Sequence, residues 1–398
     1  MSRKLRVRLL LLASLLVGLD QAVQHLVLRE GMLGSTRIAP YDPPLFTQDQ
    51  RDWTRRTRER LQTDTVVQGH YPFDAELGWC PRRDSGRPTK VWDWSGSRIG
   101  FGELPREKAP GVRRVCTIGC SFTFGDEVGN EETWGALLDR DRDDLEVANL
   151  GVGAFGLGQA LLRLRRDGLP LEPDEVWLGI LPSALPRALT VYRPALRPWT
   201  RAPMFKPRFL LDTAGELELL PNPAASLAEV TELVADQERF LAAVLPHDFS
   251  AARWPAAYGA AGSSLWHHSG LARVGVTFLE RRRLRPDEVL ADEDLGLGRL
   301  ARAIVLAAQE EAQAVGARLR VLLLPGRWDT EQAASHAEPY WARLLAELES
   351  AGVETIELTP ALLEAGGHGN DALWAPGGHY SPAGNRVCAD ALDAALGS

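Results

Sequence analysis

The chain has 398 residues, 45% hydrophobic and 25% charged, a globular composition with room for one large domain carrying insertions or for two smaller ones. Its net charge of −8, with no long basic run beyond the amino terminus, argues against a nucleic-acid partner. Cys80, Cys116, Cys120 and Cys388 fit an oxidising compartment without specifying a disulfide. Their spacing lacks the paired ligands and neighbouring histidines of a zinc site, so neither a metal nor an organic cofactor is expected.

At the amino terminus Arg3, Lys4, Arg6 and Arg8 precede an uncharged run from Leu9 to Leu19, the charge-then-apolar order of an export signal. Continued to Leu28 the run is long enough to span a bilayer, though it then includes Asp20, Gln21 and His25. With no small-x-small pair near its end, residues 1–30 are expected to form an uncleaved signal-anchor, basic end inside, rather than a removed signal. In either case the body of the protein would face the periplasm or the cell exterior.

Residues 31–110 are rich in Pro, Arg, Asp and Trp and weakly periodic, and read as an extension packed on the main domain. From 111 to 398 apolar runs alternate with amphipathic stretches. Strands are expected at Arg113–Ile118, Glu146–Leu150, Glu175–Leu181, Leu319–Leu324 and Val353–Leu358. Helices are expected at 132–142, 157–167, 295–315, 336–351 and 382–396. This alternation predicts a three-layer α/β/α sandwich on a parallel sheet. An insertion at about 188–294 interrupts it, with a hairpin turning at Gly215 and a helix from about 225 to 244. There His267 and His268, like His368 later, read most simply as solvated loop groups, and Arg281-Arg282-Arg283 as a solvated face.

The chemistry-bearing residues flank this alternation. The strand-like run Val115-Cys116-Thr117-Ile118 stops at Gly119, and Ser121 follows in the turn, where a sheet protein can present a hydroxyl to substrate. His379, in GGHYSPAGN, lies just before a helix capped by Ser381 with Pro382 at its first position. A serine and a histidine in loops beside regular elements suggest a nucleophile and its base.

With these blocks in order, the chain resembles the SGNH/GDSL hydrolase family. The first block is Gly119-Cys120-Ser121-Phe122-Thr123-Phe124-Gly125, where the family has Gly-Asp-Ser-x-Thr-x-Gly. The second resembles Asn149-Leu150-Gly151-Val152-Gly153-Ala154-Phe155-Gly156, and the last Gly378-His379-Tyr380-Ser381-Pro382-Ala383-Gly384-Asn385. Glu76-Leu77-Gly78-Trp79 is similar to a segment of exported, anchored members. The resemblance implies a serine-type carboxylic-ester hydrolase with Ser121 as nucleophile and His379 as general base. It implies an oxyanion hole of the Ser121 and Ala154 N–H groups. Ser183 is the nearest donor where the family has an Asn.

Three polar positions depart from the family. Cys120 replaces the block-one Asp, no Asn stands in 179–185, and Pro376 and Gly377 occupy the usual places of the triad acid. Asp371 is the nearest upstream acid and is the expected third member, with a Ser–His dyad as the alternative. An acyl ester, small or on a polysaccharide, is the implied substrate. Twelve Trp, many in loops, leave open packing of irregular segments or a sugar-stacking cleft. An O-acyltransferase of the same fold and a non-catalytic polysaccharide binder are the rival readings.

Overall fold

The computed structural model describes residues 2–28, 31–34, 36–39, 55, 59, 71–87, 89–196, 204–250 and 265–397. They form two compact units. One comprises residues 76–189, 207–222 and 286–398. Its centre is a five-stranded, all-parallel sheet of β1 (Arg113–Gly119), β2 (Leu145–Asn149), β3 (Glu175–Ile180), β4 (Arg318–Leu323) and β5 (Glu354–Glu357), in the order β5-β4-β3-β1-β2. β1, β3 and β4 are buried almost end to end, which is why their sequences read as apolar runs rather than as alternations.

Helices cover the sheet: α1 (Ser121–Phe124), α2 (Trp134–Asp141), α3 (Leu157–Arg163), α4 (Leu297–Ala314), α5 (Arg327–Ser335), α6 (Ala342–Ser350) and α7 (Pro382–Leu396). α2 packs on α7, and α4 on α3 and α6. Trp134, Leu138, Cys388 and Leu392 from the first pair join Val115, Trp177 and Leu322 of the sheet in one core. The fold is thus the α/β/α sandwich expected. α3 runs on into a π-helical turn at Leu164–Gly168, and α6 begins later than expected, beyond Pro339. The hairpin is Arg208–Leu211 against Leu217–Leu220.

The two ends of the sheet differ in chemistry. At the amino ends of the strands Arg114 pairs with Glu146 at 2.6 Å, and Arg320 bridges Glu175 and Glu354. At the carboxyl ends lie the turns after β1 and β3, where the strand order reverses and an open parallel sheet leaves a crevice. Gly119 ends β1 at φ 151°, and a β-carbon there would fall 2.2 Å from Thr123 Oγ1, so only glycine allows the turn.

The other unit comprises residues 1–75, 190–206 and 223–285. The helix Arg3–Ala22 continues through a π-helical turn at Val23–Val27, and this 25-residue span, of mean hydropathy 1.5, buries none of its apolar window. The helices Leu227–Ala235, Gln237–Val244 and Gly270–Arg283 complete the unit, around a core containing Tyr192, Phe205, Val234 and Phe240. His267 differs from the sequence expectation: it is fully buried with Trp266 edge-on at 4.3 Å, while His268 and His368 are exposed. All four cysteines are free and buried, and burial pushes the thiols of Cys116 and Cys388 up to about 12.

Candidate active site

Ser121 opens the one-turn helix α1. Its carbonyl accepts from Gly125 N–H at 2.9 Å and Asp126 N–H at 3.0 Å, which closes the turn and turns the chain back. No hydrogen bond among the described residues takes the N–H of Ser121 or of Ala154. Both therefore stay available to a developing oxyanion. Ala154 sits at φ 67°, a left-handed conformation that glycine favours.

Side chains distant in sequence pin the second-block loop. Trp79 Nε1 donates to Gly153 O at 2.9 Å, and its ring meets Phe155 edge-on at 5.9 Å. Asn149 Nδ2 donates to Thr123 O at 3.0 Å while its Oδ1 accepts from Gly151 N–H at 3.0 Å, tying block two to block one. The ELGW segment thus supports the loop carrying Ala154.

The acid that meets His379 is Glu127. His379 Nδ1 lies 2.6 Å from Glu127 Oε2, and the same carboxylate accepts from Gly377 N–H at 2.6 Å and His379 N–H at 3.2 Å. Burial raises the Glu127 pKa, but the bonds from the His379 ring and from Gly377 outweigh it and hold the carboxyl below its ordinary value. An ionised carboxylate only accepts, so Nδ1 carries the proton and the free lone pair of neutral His379 is on Nε2. Phe122, the residue after Ser121, packs its ring 5.1 Å from the imidazole, so the ring stands beside the Ser121 turn.

Glu127 reaches His379 from an unusual backbone, φ 68°. The loop that holds it is buttressed from below. The buried Arg98 guanidinium donates to Phe124 O at 2.8 Å, Gly125 O at 2.6 Å and Val128 O at 2.7 Å, and lies over the Phe124 ring. Lys90 pairs with the neighbouring Asp126. Burial raises the Asp126 carboxyl, but Lys90 foremost, together with the Glu127 N–H and His379, holds it below its ordinary value.

Two sequence expectations need correction. Asp371 is 82% exposed and pairs with Arg327 at 2.7 Å, whereas the carboxylate at His379 Nδ1 is Glu127. Ser183 follows β3 as expected, but its hydroxyl donates to the buried Asp329 Oδ2 at 2.8 Å. Asp329 also accepts from Tyr340 Oη at 2.6 Å and Gly326 N–H at 2.9 Å, and burial raises its pKa despite these bonds. Ser183 is thereby engaged in capping the loop before α5.

With this geometry in hand, comparison with known proteins gives distant likenesses. No family model matches the chain, and no curated protein does. Among solved structures it is similar to a putative lipolytic protein of the G-D-S-L family from Desulfitobacterium hafniense, at 14% identity over 70% of this chain and 97% of that one, TM-score 0.34. It is also similar to an acetylxylan esterase from Geobacillus stearothermophilus, at 14% identity over 73% and 97%, TM-score 0.37. A putative acylhydrolase from Bacteroides fragilis matches at 13% identity over 74% and 90%, TM-score 0.33.

A cavity of about 330 Å³ lies between the 93–112 segment and edge strand β2, and none of Ser121, Glu127 or His379 lines it. A space of about 20 Å³, the size of one water, borders Cys120, Phe155, Leu181 and Leu185. Trp79, Trp92 and Trp374 are buried, while Trp94, Trp266 and Trp328 are half-exposed. Trp199 and Trp254 lie outside the described residues.

Proposed function

We propose that this chain is a serine-type carboxylic-ester hydrolase with Ser121 as nucleophile, His379 as general base and Glu127 as the orienting acid. The observation that carries the reading is the 2.6 Å contact of Glu127 with His379 Nδ1, on a ring packed against the residue next to Ser121. Ser121 Oγ would attack the ester carbonyl as its proton passes to His379 Nε2. The negative oxygen would meet the N–H groups of Ser121 and Ala154. His379 would return the proton to the leaving alkoxide, and a water activated by the same ring would release the acid. Glu127 would stabilise the imidazolium between these transfers.

The finer proposal is an O-acyl group on a carbohydrate of the cell envelope. Half-exposed Trp328 supports it, standing just after Gly326, which packs against Phe122. We also propose that Arg3–Val27 anchors the protein in a membrane. In support, the stretch beyond the basic cluster, Leu9–Val27, is 19 helical residues, roughly 28 Å at 1.5 Å each, close to the ~30 Å hydrocarbon core. The basic Arg3, Lys4, Arg6 and Arg8 would remain on the cytoplasmic side.

A short-chain aryl acetate tests the chemistry. The full chain should hydrolyse it, and Ser121→Ala and His379→Ala should each lose on the order of 10⁴-fold or more, as members of such a unit do. Equal rates for the three proteins would remove the enzyme assignment and leave a polysaccharide-binding role. That role is favoured by the engagement of Ser183, whose hydroxyl is committed to Asp329.

A further inference from the structure

The helix Gly270–Arg283 is amphipathic in the wrong sense for a helix facing water. Its protein-facing side is polar: Arg273, Thr277 and Glu280 are each almost fully buried. Arg273 Nε donates to Ala39 O at 2.8 Å, and Thr277 Oγ1 accepts from Ala39 N–H at 2.9 Å. Its outward side carries Leu271, Phe278 and Leu279, the last two 57% and 59% exposed, with exposed Arg281 and Arg282 at the carboxyl end. By helical periodicity Leu271, Gly275, Phe278 and Arg282 fall on one stripe. A helix in water has the opposite arrangement.

The start of this helix is fixed to the end of the amino-terminal apolar helix. Asp20 Oδ1 accepts from Ser269 Oγ at 2.8 Å and Leu271 N–H at 2.9 Å, and Arg273 Nη1 donates to Gln24 Oε1 at 3.2 Å. Gly270 lies against the backbone of Gln24 so closely that a β-carbon would come within 2.5 Å of its nitrogen. Asp20 and Gln24 are polar residues toward the end of that helix opposite its basic cluster, the end at which the chain would emerge from the membrane.

We infer that the Gly270–Arg283 helix lies in the bilayer interface, with Leu271, Phe278 and Leu279 among the lipid chains and Arg281 and Arg282 at the headgroups. This rests on reading Arg3–Val27 as a membrane anchor. Continuity with that anchor decides the occupant: any apolar face joined to its exit point meets lipid first. The two arginines complement anionic headgroups, and their long stems let the charges reach them. The protein would then hold the membrane at two places, restricting its tilt on the anchor.

The test uses the full chain in phosphatidylcholine–phosphatidylglycerol vesicles with an environment-sensitive fluorophore on a single introduced thiol, since the native cysteines are buried. The labelled variants are Phe278→Cys, Leu15→Cys as the anchor reference, and Glu218→Cys on the exposed hairpin as the aqueous reference. A label at 278 should lose emission most to lipids bearing a nitroxide near the headgroup, because interfacial helices insert roughly 5–10 Å. A label at 15 should lose most to a nitroxide deep in the chain, and one at 218 to neither. Quenching at 15 without quenching at 278 would overturn the interfacial helix and spare the anchor. No quenching at 15 would overturn both. A label at 278 shielded from aqueous iodide yet untouched by lipid nitroxides would mean that a second protein surface covers the helix, which also refutes the inference.

Discussion

Replacing Glu127 by Gln tests the site most directly, because it keeps the side chain's length and removes its charge. In the parent the carboxylate receives three N–H groups, two at 2.6 Å and one at 3.2 Å. An amide offers one oxygen, so one of the two short contacts must face an NH₂. If that contact is with the ring, Nδ1 must become the acceptor, the proton moves to Nε2, and the base is lost. A wrong-tautomer triad loses about 10⁴ in kcat, about 5.4 kcal/mol at 1.36 kcal/mol per decade. If the oxygen stays on Nδ1, the tautomer survives but the charge facing the imidazolium does not, and the Gly377 N–H loses its acceptor. The Glu127 side chain is 26% exposed, so water relieves part of either deficit. The expected loss is therefore about 10² to 10⁴ in kcat, with KM nearly unchanged. Steady-state hydrolysis of p-nitrophenyl acetate by the full chain in detergent measures it, with circular dichroism to verify folding. A folded variant losing less than about threefold, or an Asp371→Asn variant losing more, would show that Glu127 does not orient His379.

Four further outcomes follow from the same geometry. Ser183→Ala should leave kcat within about threefold but lower stability by about 1–2 kcal/mol, because its hydroxyl serves Asp329; a hundredfold loss of rate would restore it as an oxyanion donor. Ala154→Gly should raise the melting temperature slightly, since relief of a left-handed alanine, about 1–2 kcal/mol, exceeds the roughly 0.5–1 kcal/mol of added chain entropy; a lower melting temperature would contradict the strain. Arg98→Lys should destabilise by roughly 3 kcal/mol and also reduce kcat, because one ammonium cannot span the three carbonyls under the Glu127 loop; full activity in a folded variant would deny that positioning role. The depressed Glu127 carboxyl adds stability that is fully present above its unfolded value near 4.5 and is lost as pH falls through the lower folded value. The melting temperature of the parent should thus fall more steeply than that of Glu127→Gln below pH 4.5, and parallel curves would refute the linkage.

The three central strands were legible because they are buried on both faces, and a doubly buried strand must be written as a short apolar run between turn residues. The Ser121 turn was legible for a related reason: the sheet's geometry forces glycine at 119, and the chain breaks there visibly. Helices that pack by a few residues, such as α5 with its buried Asp329 and Thr330, give no apolar periodicity and were not expected. The burial of His267 is not legible in the sequence, because a His-His pair reads the same in a solvated loop as in a packed one.

The contact of Glu127 with His379 is not legible in the sequence, where Asp371 is the nearer acid upstream of the histidine. The chain nevertheless carried a sign of the real arrangement. Gly377, two residues before His379, does more than omit an acid. A β-carbon at Gly377 would lie 2.6 Å from both oxygens of Glu127, so any side chain there would evict the carboxylate that now fills the place. The bare backbone admits Glu127 and supplies it with an N–H donor. The bare backbone before the histidine and the acid after the serine thus depend on each other. Restoring an acid at 377 separates this from coincidence: Gly377→Asp alone should impair activity by crowding Glu127, and adding Glu127→Gly should return part of it by clearing the space. If the single variant is fully active, the two positions are independent.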